Sequence, residues 1–259
     1  MKIKEKLISI NGIEQFYLLC GKGPALILLH GGLGTAQLNW GDYILELSEN
    51  FTVYALDTRG HGRSTNPHDL FSYQQFSSDL SVFIKKLNLE NPIVCGWSDG
   101  SQTALEHALN YPGEVTRYIL GGVFIEQSAR YYEGMRSLGL KENGEVDFDQ
   151  LKIEMDSYYD LVKVAHSHQG ENHWKKLVAK YPELYFTPMT YTESQLSTIM
   201  AKVLIVLGDR DQYISIEHAM KIFNAIDSSY LAIVPNTDHY LPMTRKDWFI
   251  REIINFSEI

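Results

Sequence analysis

A five-residue segment, Gly96-Trp97-Ser98-Asp99-Gly100, has the residue types of a nucleophilic serine carried on a sharp turn. It fits the pattern G-x-S-x-G and lies between an apolar run, Pro92–Cys95, and a helical pattern, Ser101–Asn110. Small residues two positions before and after the serine let a strand and a helix approach closely, and the turn lifts the hydroxyl clear of the sheet. The segment therefore predicts Ser98 as a nucleophile.

A serine hydroxyl needs a base, and the base needs an acid that orients it. Two loops after later apolar runs contain both groups, GDRD at 208–211 and TDH at 237–239. We predict His239 as the base. We favour Asp211 as the acid because it stands farther along its loop than Asp209, which we expect to bond its own turn. The weaker rivals are Asp238, beside the histidine, and Glu126, at the end of another strand.

Two backbone N–H groups are expected to bind the negative oxygen that develops when the serine attacks a carbonyl. One is the N–H of Asp99, which opens the helix after the nucleophile. The other belongs to the glycine-rich loop HGGLG at 30–34, after the apolar run Pro24–Leu29. We expect Gly32 to be this donor, with Leu33 as the second choice. The loop lacks the glycine spacing and the Lys-Ser/Thr pair of phosphate-binding loops.

Apolar runs alternate with helical patterns, which predicts an α/β fold whose mostly parallel twisted sheet has helices on both faces. An Asn11-Gly12 turn between Lys2–Ile10 and Ile13–Cys20 predicts an antiparallel N-terminal edge. In such sheets the reactive groups gather at the carboxyl ends of the strands, where the motifs above stand. The other predicted strands are 24–29, 51–56, 92–95, 115–123, 203–207 and 230–234, and the other helices are 36–48, 73–87, 101–110, 216–226 and 245–256.

Residues 126–198, called here the helical insertion, break this alternation, because they carry a helical pattern dense in aromatic residues and no strand signal. We predict that they form a small helical cap inserted into a core domain of residues 1–125 and 199–259. Aromatic side chains of a cap would shape a largely apolar pocket. The residues expected to contact the substrate are Leu33, Trp97, Asp99, Tyr158 and Trp174.

Three histidines of the helical insertion, His166, His168 and His173, lie near the acids Asp160 and Glu171. These could complete a ligand set on paper, but the spacing of the histidines matches no zinc signature. We therefore expect a solvated face and no metal site.

The chain has 259 residues and a formal net charge of −9, which would repel nucleic acid and anionic membrane surfaces. Cys20 and Cys95 both lie in apolar runs, which predicts buried free thiols in a reducing compartment. The N-terminal segment alternates charged and apolar residues as a strand does, unlike a signal peptide. No apolar run has the length of about 20 residues that a membrane helix needs. These features favour a cytoplasmic protein with a small-molecule substrate, and they leave its oligomeric state open.

Four motifs in the same order resemble the α/β-hydrolase superfamily over nearly the whole chain: HGGLG, DTRGHGRS at 57–64, GWSDG, and the paired GDRD and TDH loops. The resemblance implies the α/β-hydrolase fold and a serine hydrolase that forms an acyl-enzyme without a metal or organic cofactor. It implies structural roles for His30, His61 and Arg63. Small or medium carboxylic esters are the expected substrates.

Other members of this superfamily use the same motifs on amides, lactones or carbon–carbon bonds, or as cofactor-free haloperoxidases. A receptor that keeps the triad but hardly turns over would carry the same residues. The serine nucleophile argues against haloalkane dehalogenation, which uses an aspartate in this family.

The GWSDG elbow resembles that of valacyclovir-hydrolase-like members, which cleave esters of amino acids. Asp99 would then receive a substrate ammonium group. The alternative is that an acidic residue is favoured here only by the helix dipole. Ser101 departs from the pattern, because such members often have another glycine there.

Overall fold

The computed structural model describes residues 2–259 and contains one eight-stranded sheet with the order β1-β2-β4-β3-β5-β6-β7-β8. β1 pairs antiparallel with β2, β2 pairs antiparallel with β4, and the remaining neighbours are parallel. The strands are β1 (Lys4–Ile10), β2 (Ile13–Gly21), β3 (Ala25–Leu29), β4 (Thr52–Leu56), β5 (Ile93–Trp97), β6 (Arg117–Gly121), β7 (Lys202–Gly208) and β8 (Ser229–Val234). This is the α/β-hydrolase fold predicted from the sequence.

The N-terminal hairpin turns at Asn11 and Gly12, whose φ angles are 40° and 74°. Two consecutive residues with positive φ form the turn whose twist matches that of the flanking strands, and Asn-Gly adopts it at little cost. The antiparallel edge of the sheet follows from this dipeptide.

The central strands are buried on both faces, which explains their continuous apolar sequences. In β3, Leu26 and Leu28 join one apolar core, while Ile27 and Leu29 join the core on the opposite face. Side chains alternate between faces along a strand. Helices must therefore cover both faces of the sheet. Polar side chains are then accommodated at the ends of the strands.

Helices connect most of the strands, and six of them lie in the helical insertion between β6 and β7. Outside the insertion the helices are α1 (Ala36–Leu47), α2 (Tyr73–Lys86), α3 (Asp99–Asn110), α10 (Ile216–Ala225), α11 (Leu241–Thr244) and α12 (Lys246–Glu258). Within it they are α4 (Ala129–Ser137), α5 (Phe148–Met155), α6 (Ser157–Ala165), α7 (His173–Val178), α8 (Tyr181–Phe186) and α9 (Glu193–Leu196).

Two predicted boundaries differ at the nucleophile. β5 extends to Trp97 and α3 begins at Asp99, so Ser98 is the single residue between strand and helix. Cys20 and Cys95 are buried and free, as predicted. Over residues 2–259, no helix combines the length and apolar character needed to cross a membrane.

Candidate active site

Ser98 lies at the turn between β5 and α3, with φ of 53° and ψ of −117°. This backbone conformation is rare for a residue with a side chain, and it costs free energy that the surrounding packing must supply. A Cβ on Gly96 would lie 2.3 Å from the carbonyl carbon of Gly100, and a Cβ on Gly100 would lie 2.2 Å from the oxygen of Leu29. Glycine at both positions lets β5 and α3 meet at Ser98.

His239 follows β8, and its ring is held by Asp211, which follows β7. The Nδ1 atom of His239 lies 2.7 Å from Oδ2 of Asp211. The other oxygen of Asp211 accepts hydrogen bonds from the N–H groups of Tyr213 and Ile214, at 2.8 and 2.9 Å. Burial alone would raise the pKa of Asp211, but the His239 ring and these donors hold it below its usual value. Asp211 is therefore a fixed anion that orients the imidazole.

The three rival acids bond elsewhere. Asp209 lies 3.7 Å from Nε of Arg210 in its own turn, and it also accepts a 3.3 Å hydrogen bond from the N–H of Thr237, which ties the two loops together. Asp238 accepts from the N–H of Tyr240 at 2.9 Å. Glu126 pairs with Lys221 at 2.8 Å.

Three N–H groups of the HGGLG loop after β3 donate hydrogen bonds within the described chain. The N–H of Gly31 donates to Oδ1 of Asn39 at 3.1 Å, and that of Gly34 donates to the oxygen of Gly31 at 3.0 Å. The N–H of Leu33 donates to the hydroxyl of Tyr181 at 2.8 Å, which corrects Leu33 as an alternative oxyanion donor. The N–H of Gly32 remains for an oxyanion.

The second expected donor is the N–H of Asp99, the first residue of α3. The first N–H groups of a helix have no partner within it, and the helix dipole favours negative charge there. The Gly31 backbone comes close to Ser98, because a Cβ on Gly31 would lie 3.4 Å from that of Ser98. Both expected donors are thus in segments adjoining the nucleophile.

Three cavities surround this site, with volumes of about 90, 120 and 340 Å³. Ser98 and His239 both line the first two, and Gly32 lines all three. The third and largest is formed mainly by the helical insertion. Ser98 therefore borders separate cavities with room for the acyl group and the leaving group of a substrate.

The predicted substrate contacts fall into different places. Trp97 lines the smallest cavity, Asp99 the second, and Leu33 and Tyr158 the largest. Trp174 lines none of the three, since it packs edge-on against Phe148 and Tyr159 with ring centroids 5.6 and 5.2 Å apart. Trp174 is buried in the core of the insertion, away from these three cavities.

The carboxylate of Asp99, the residue after Ser98, is held by two tyrosine hydroxyl groups. Its Oδ1 accepts from the hydroxyl of Tyr73 at 2.8 Å and its Oδ2 from that of Tyr185 at 2.9 Å. Burial raises the pKa of Asp99 to about 6, and these two hydrogen bonds act in the opposite direction. Asp99 also lines the second cavity, beside Ser98 and His239.

Sequence reasoning missed the tyrosines that organise the site: Tyr73, Tyr181 and Tyr185. A signal was present for two of them, because Tyr181 and Tyr185 are four residues apart and share one face of α8. Tyr73, at the start of α2, had no local signal.

Two other histidines, His30 and His166, are buried within the fold. His30 donates from Nδ1 to the oxygen of Gly31 at 2.8 Å, and its Nε2 accepts from the N–H of Thr58 at 2.9 Å. His166 is fully buried, so the solvated face that we predicted for the histidines of the insertion is wrong at this position. The described part of the chain holds no cluster of three or more metal-ligating side chains.

A family model described as "Alpha/beta hydrolase family" matches residues 26–252, a range that contains all the motifs above. The chain therefore belongs to the alpha/beta hydrolase family, and its activity is that of a hydrolase.

Among curated relatives, the serine hydrolase BPHL of Mus musculus is 24% identical over 259 residues, covering 97% of this chain and 85% of the relative. The pimeloyl-(acyl-carrier protein) methyl ester esterase of Nitrosospira multiformis is 27% identical over 253 residues, covering 92% and 95%. Among solved structures, carboxylesterase CesB of Bacillus subtilis matches with a TM-score of 0.77 and 21% identity, covering 99% of this chain and 92% of that one. At this identity the structural match supports the fold alone.

Proposed function

We propose that this protein is a serine hydrolase that cleaves small to medium carboxylic esters through an acyl-enzyme. One observation carries the proposal: strained Ser98 and Asp211-bound His239 line the same two cavities. A strained serine that shares its cavities with a base is the arrangement expected of an activated nucleophile.

The mechanism has two steps of acyl transfer. The hydroxyl oxygen of Ser98 attacks the ester carbonyl while Nε2 of His239 takes its proton, and Asp211 stabilises the imidazolium that forms. The N–H groups of Gly32 and Asp99 hold the oxyanion. The imidazolium then protonates the leaving alkoxide. Water, activated by His239, attacks the acyl-enzyme and releases the acid and Ser98.

Esters with modest apolar groups suit the cavities best, because their linings are mainly aromatic and aliphatic. The cavity of about 340 Å³ under the helical insertion has the size for a medium acyl or alcohol group. We further propose that the helical insertion is a cap over a core domain of residues 1–125 and 199–259. The enzyme would act in the cytoplasm on a small-molecule substrate.

A panel of 4-nitrophenyl esters, amides and lactones, run on the wild type beside Ser98→Ala, tests this function. We expect ester turnover that Ser98→Ala abolishes without loss of the fold. Turnover of the amide or lactone substrates alone would reject the ester assignment. Tight ligand binding with negligible turnover would instead support a receptor that retains the triad.

A second candidate function, hydrolysis of amino-acid esters or amides, is favoured by Asp99. Its carboxylate is the one Asp or Glu side chain that lines the second cavity within the described chain, and no Lys or Arg lines it. Each carboxylate oxygen accepts one tyrosine hydroxyl and keeps a lone pair for an ammonium group. The GWSDG elbow, which resembles that of valacyclovir-hydrolase-like members, agrees with this candidate.

The test compares an α-amino ester with its des-amino analogue on the wild type and on Asp99→Asn. We expect the wild type to prefer the amino ester in kcat/KM, and Asp99→Asn, which keeps the shape but loses the charge, to lose that preference. Equal kcat/KM values for the two esters on the wild type would reject the candidate.

A further inference from the structure

Helix α8 of the helical insertion touches both segments that carry the expected oxyanion donors. The hydroxyl of Tyr181 accepts from the N–H of Leu33, next to Gly32, at 2.8 Å. One turn later, the hydroxyl of Tyr185 donates to Oδ2 of Asp99 at 2.9 Å. The two rings pack against each other with centroids 4.9 Å apart. One short helix therefore contacts both sides of the site.

The segment held by Tyr181 has an unfavourable backbone conformation. Leu33 has a φ of 57°, in the left-handed region that a leucine rarely adopts. An external hydrogen bond to its N–H stabilises that conformation. The bond from Tyr181 holds the Gly32–Leu33 peptide, which is joined at the Cα of Gly32 to the peptide that carries the N–H of Gly32.

The donor and acceptor roles of the Tyr181 hydroxyl are settled by its neighbours. The Nδ1 atom of His61 lies 3.1 Å from the oxygen of Arg59 and must donate to it. Nε2 of His61 then accepts the Tyr181 proton, at 2.6 Å. Burial lowers the pKa of His61 well below its ordinary value, which keeps the ring neutral and able to accept. The oxygen of Tyr181 is therefore turned toward Leu33.

The space around Gly32 is tight on the same side. A Cβ placed on Gly32 would lie 2.3 Å from the hydroxyl of Tyr185 and 3.4 Å from Cε1 of Tyr181. The side chains of the two tyrosines therefore pack close to the Gly32 backbone and limit its movement.

We propose that Tyr181 and Tyr185 are positioning residues that hold the Gly32 and Asp99 segments in the geometry of an oxyanion hole. The inference rests on the proposed serine hydrolase function and adds that the hole is complete only when α8 is docked. The tyrosines also line the second and third cavities, and their hydroxyl groups act on the reaction through the backbone donors. Loss of either hydroxyl should weaken transition-state binding more than ground-state binding.

The experiment uses Tyr181→Phe and Tyr185→Phe with a neutral 4-nitrophenyl butyrate substrate, so that the charge of Asp99 plays no part in recognition. Loss of an oxyanion donor itself lowers kcat by about 10²–10³, so misplacement of one should lower kcat by about tenfold or more while KM changes little. The Ki of a trifluoromethyl ketone, whose adduct carries the oxyanion, should rise in proportion to the loss of kcat/KM.

Tyr118→Phe is the matched control, because Tyr118 is also buried and its hydroxyl also bonds a histidine, Nδ1 of His107 at 2.7 Å. We expect it to lower the melting temperature without changing kcat or Ki. If both Tyr181→Phe and Tyr185→Phe fold and keep kcat and Ki at wild-type values, the proposal is wrong. Should Tyr181→Phe fail to fold, Tyr185→Phe decides by the same criterion.

Ser98→Ala, measured in parallel, separates failure of the proposed hydrolase function from failure of the positioning role. Turnover by Ser98→Ala would overturn the serine hydrolase function itself. An inactive Ser98→Ala beside fully active tyrosine variants would overturn the positioning role alone.

Discussion

Replacing Asp211 by Asn should reverse the proton arrangement of His239 while leaving the loop intact. Oδ1 of Asp211 accepts from two backbone N–H groups, those of Tyr213 and Ile214, and Oδ2 faces Nδ1 of His239. In Asp211→Asn the amide oxygen stays with the two N–H donors, so the NH₂ group faces His239. The ring must then carry its proton on Nε2, where it can no longer accept the proton of Ser98.

The opposite amide orientation is worse, because it sets the NH₂ group against two N–H groups and leaves both unpaired. Each unpaired buried donor costs about 1–3 kcal/mol, or about 2–6 kcal/mol for the pair. Forcing the wrong tautomer in another Ser-His-Asp enzyme lowers kcat by about 10⁴, and this corresponds to about 5 kcal/mol of activation free energy. We expect a loss of that order here.

The assay is kcat/KM for 4-nitrophenyl butyrate at several pH values, with thermal unfolding as the check on the fold. Asp209→Asn is the matched control, since Asp209 accepts one 3.3 Å hydrogen bond and does not contact His239. It should keep kcat near the wild-type value. The expected loss of kcat is about 10⁴. A folded Asp211→Asn whose kcat lies within about tenfold of the wild-type value would therefore refute Asp211 as the acid. An equal loss of kcat in Asp209→Asn would refute it as well.

Three more predictions follow from the charges and close contacts of the site. Because burial raises the pKa of Asp99 to about 6, its carboxyl is neutral below that pH and charged above it. Any preference for an α-amino ester over its des-amino analogue should therefore fade as the pH falls through about 6, and a pH-independent ratio would contradict this. No Lys or Arg in the described chain lines the three cavities, whereas Asp99, Glu154 and Asp156 do. Kinetics should thus show 4-nitrophenyl pentanoate cleaved about tenfold or more faster than mono-4-nitrophenyl glutarate, since the buried carboxylate has no partner, and equal rates would count against it. Gly96→Ala places a Cβ 2.3 Å from Gly100 backbone and should lower the free energy of unfolding by about 1–3 kcal/mol or more. In Gly41→Ala the Cβ meets only the flexible end of Gln37, so denaturant unfolding should show little loss there, and similar losses in both variants would argue against the elbow strain.

The sheet and the order of its motifs could be predicted because they depend on local patterns. Strands buried on both faces must be apolar throughout, and Asn11-Gly12 has few conformations other than a tight turn. The proximity of Asp211 to His239 followed from the rule that parallel strands end at one edge.

The tyrosine contacts could not be predicted, because they join residues far apart in sequence. Tyr185 and Asp99 are 86 positions apart, and Tyr181 and Leu33 are 148 apart. These contacts depend on how the helical insertion packs against the core domain. The sequences of its short helices do not show which of their faces meet that core. The same packing buries His166 in a polar stretch of sequence and turns Trp174 away from the cavities.

The most direct test of the central claim is intact and peptide mass spectrometry after treatment with a fluorophosphonate. The account predicts one adduct, located on Ser98, together with complete loss of ester turnover and no adduct on Ser98→Ala. An adduct on another residue, or an unlabelled protein that still hydrolyses esters, would contradict it.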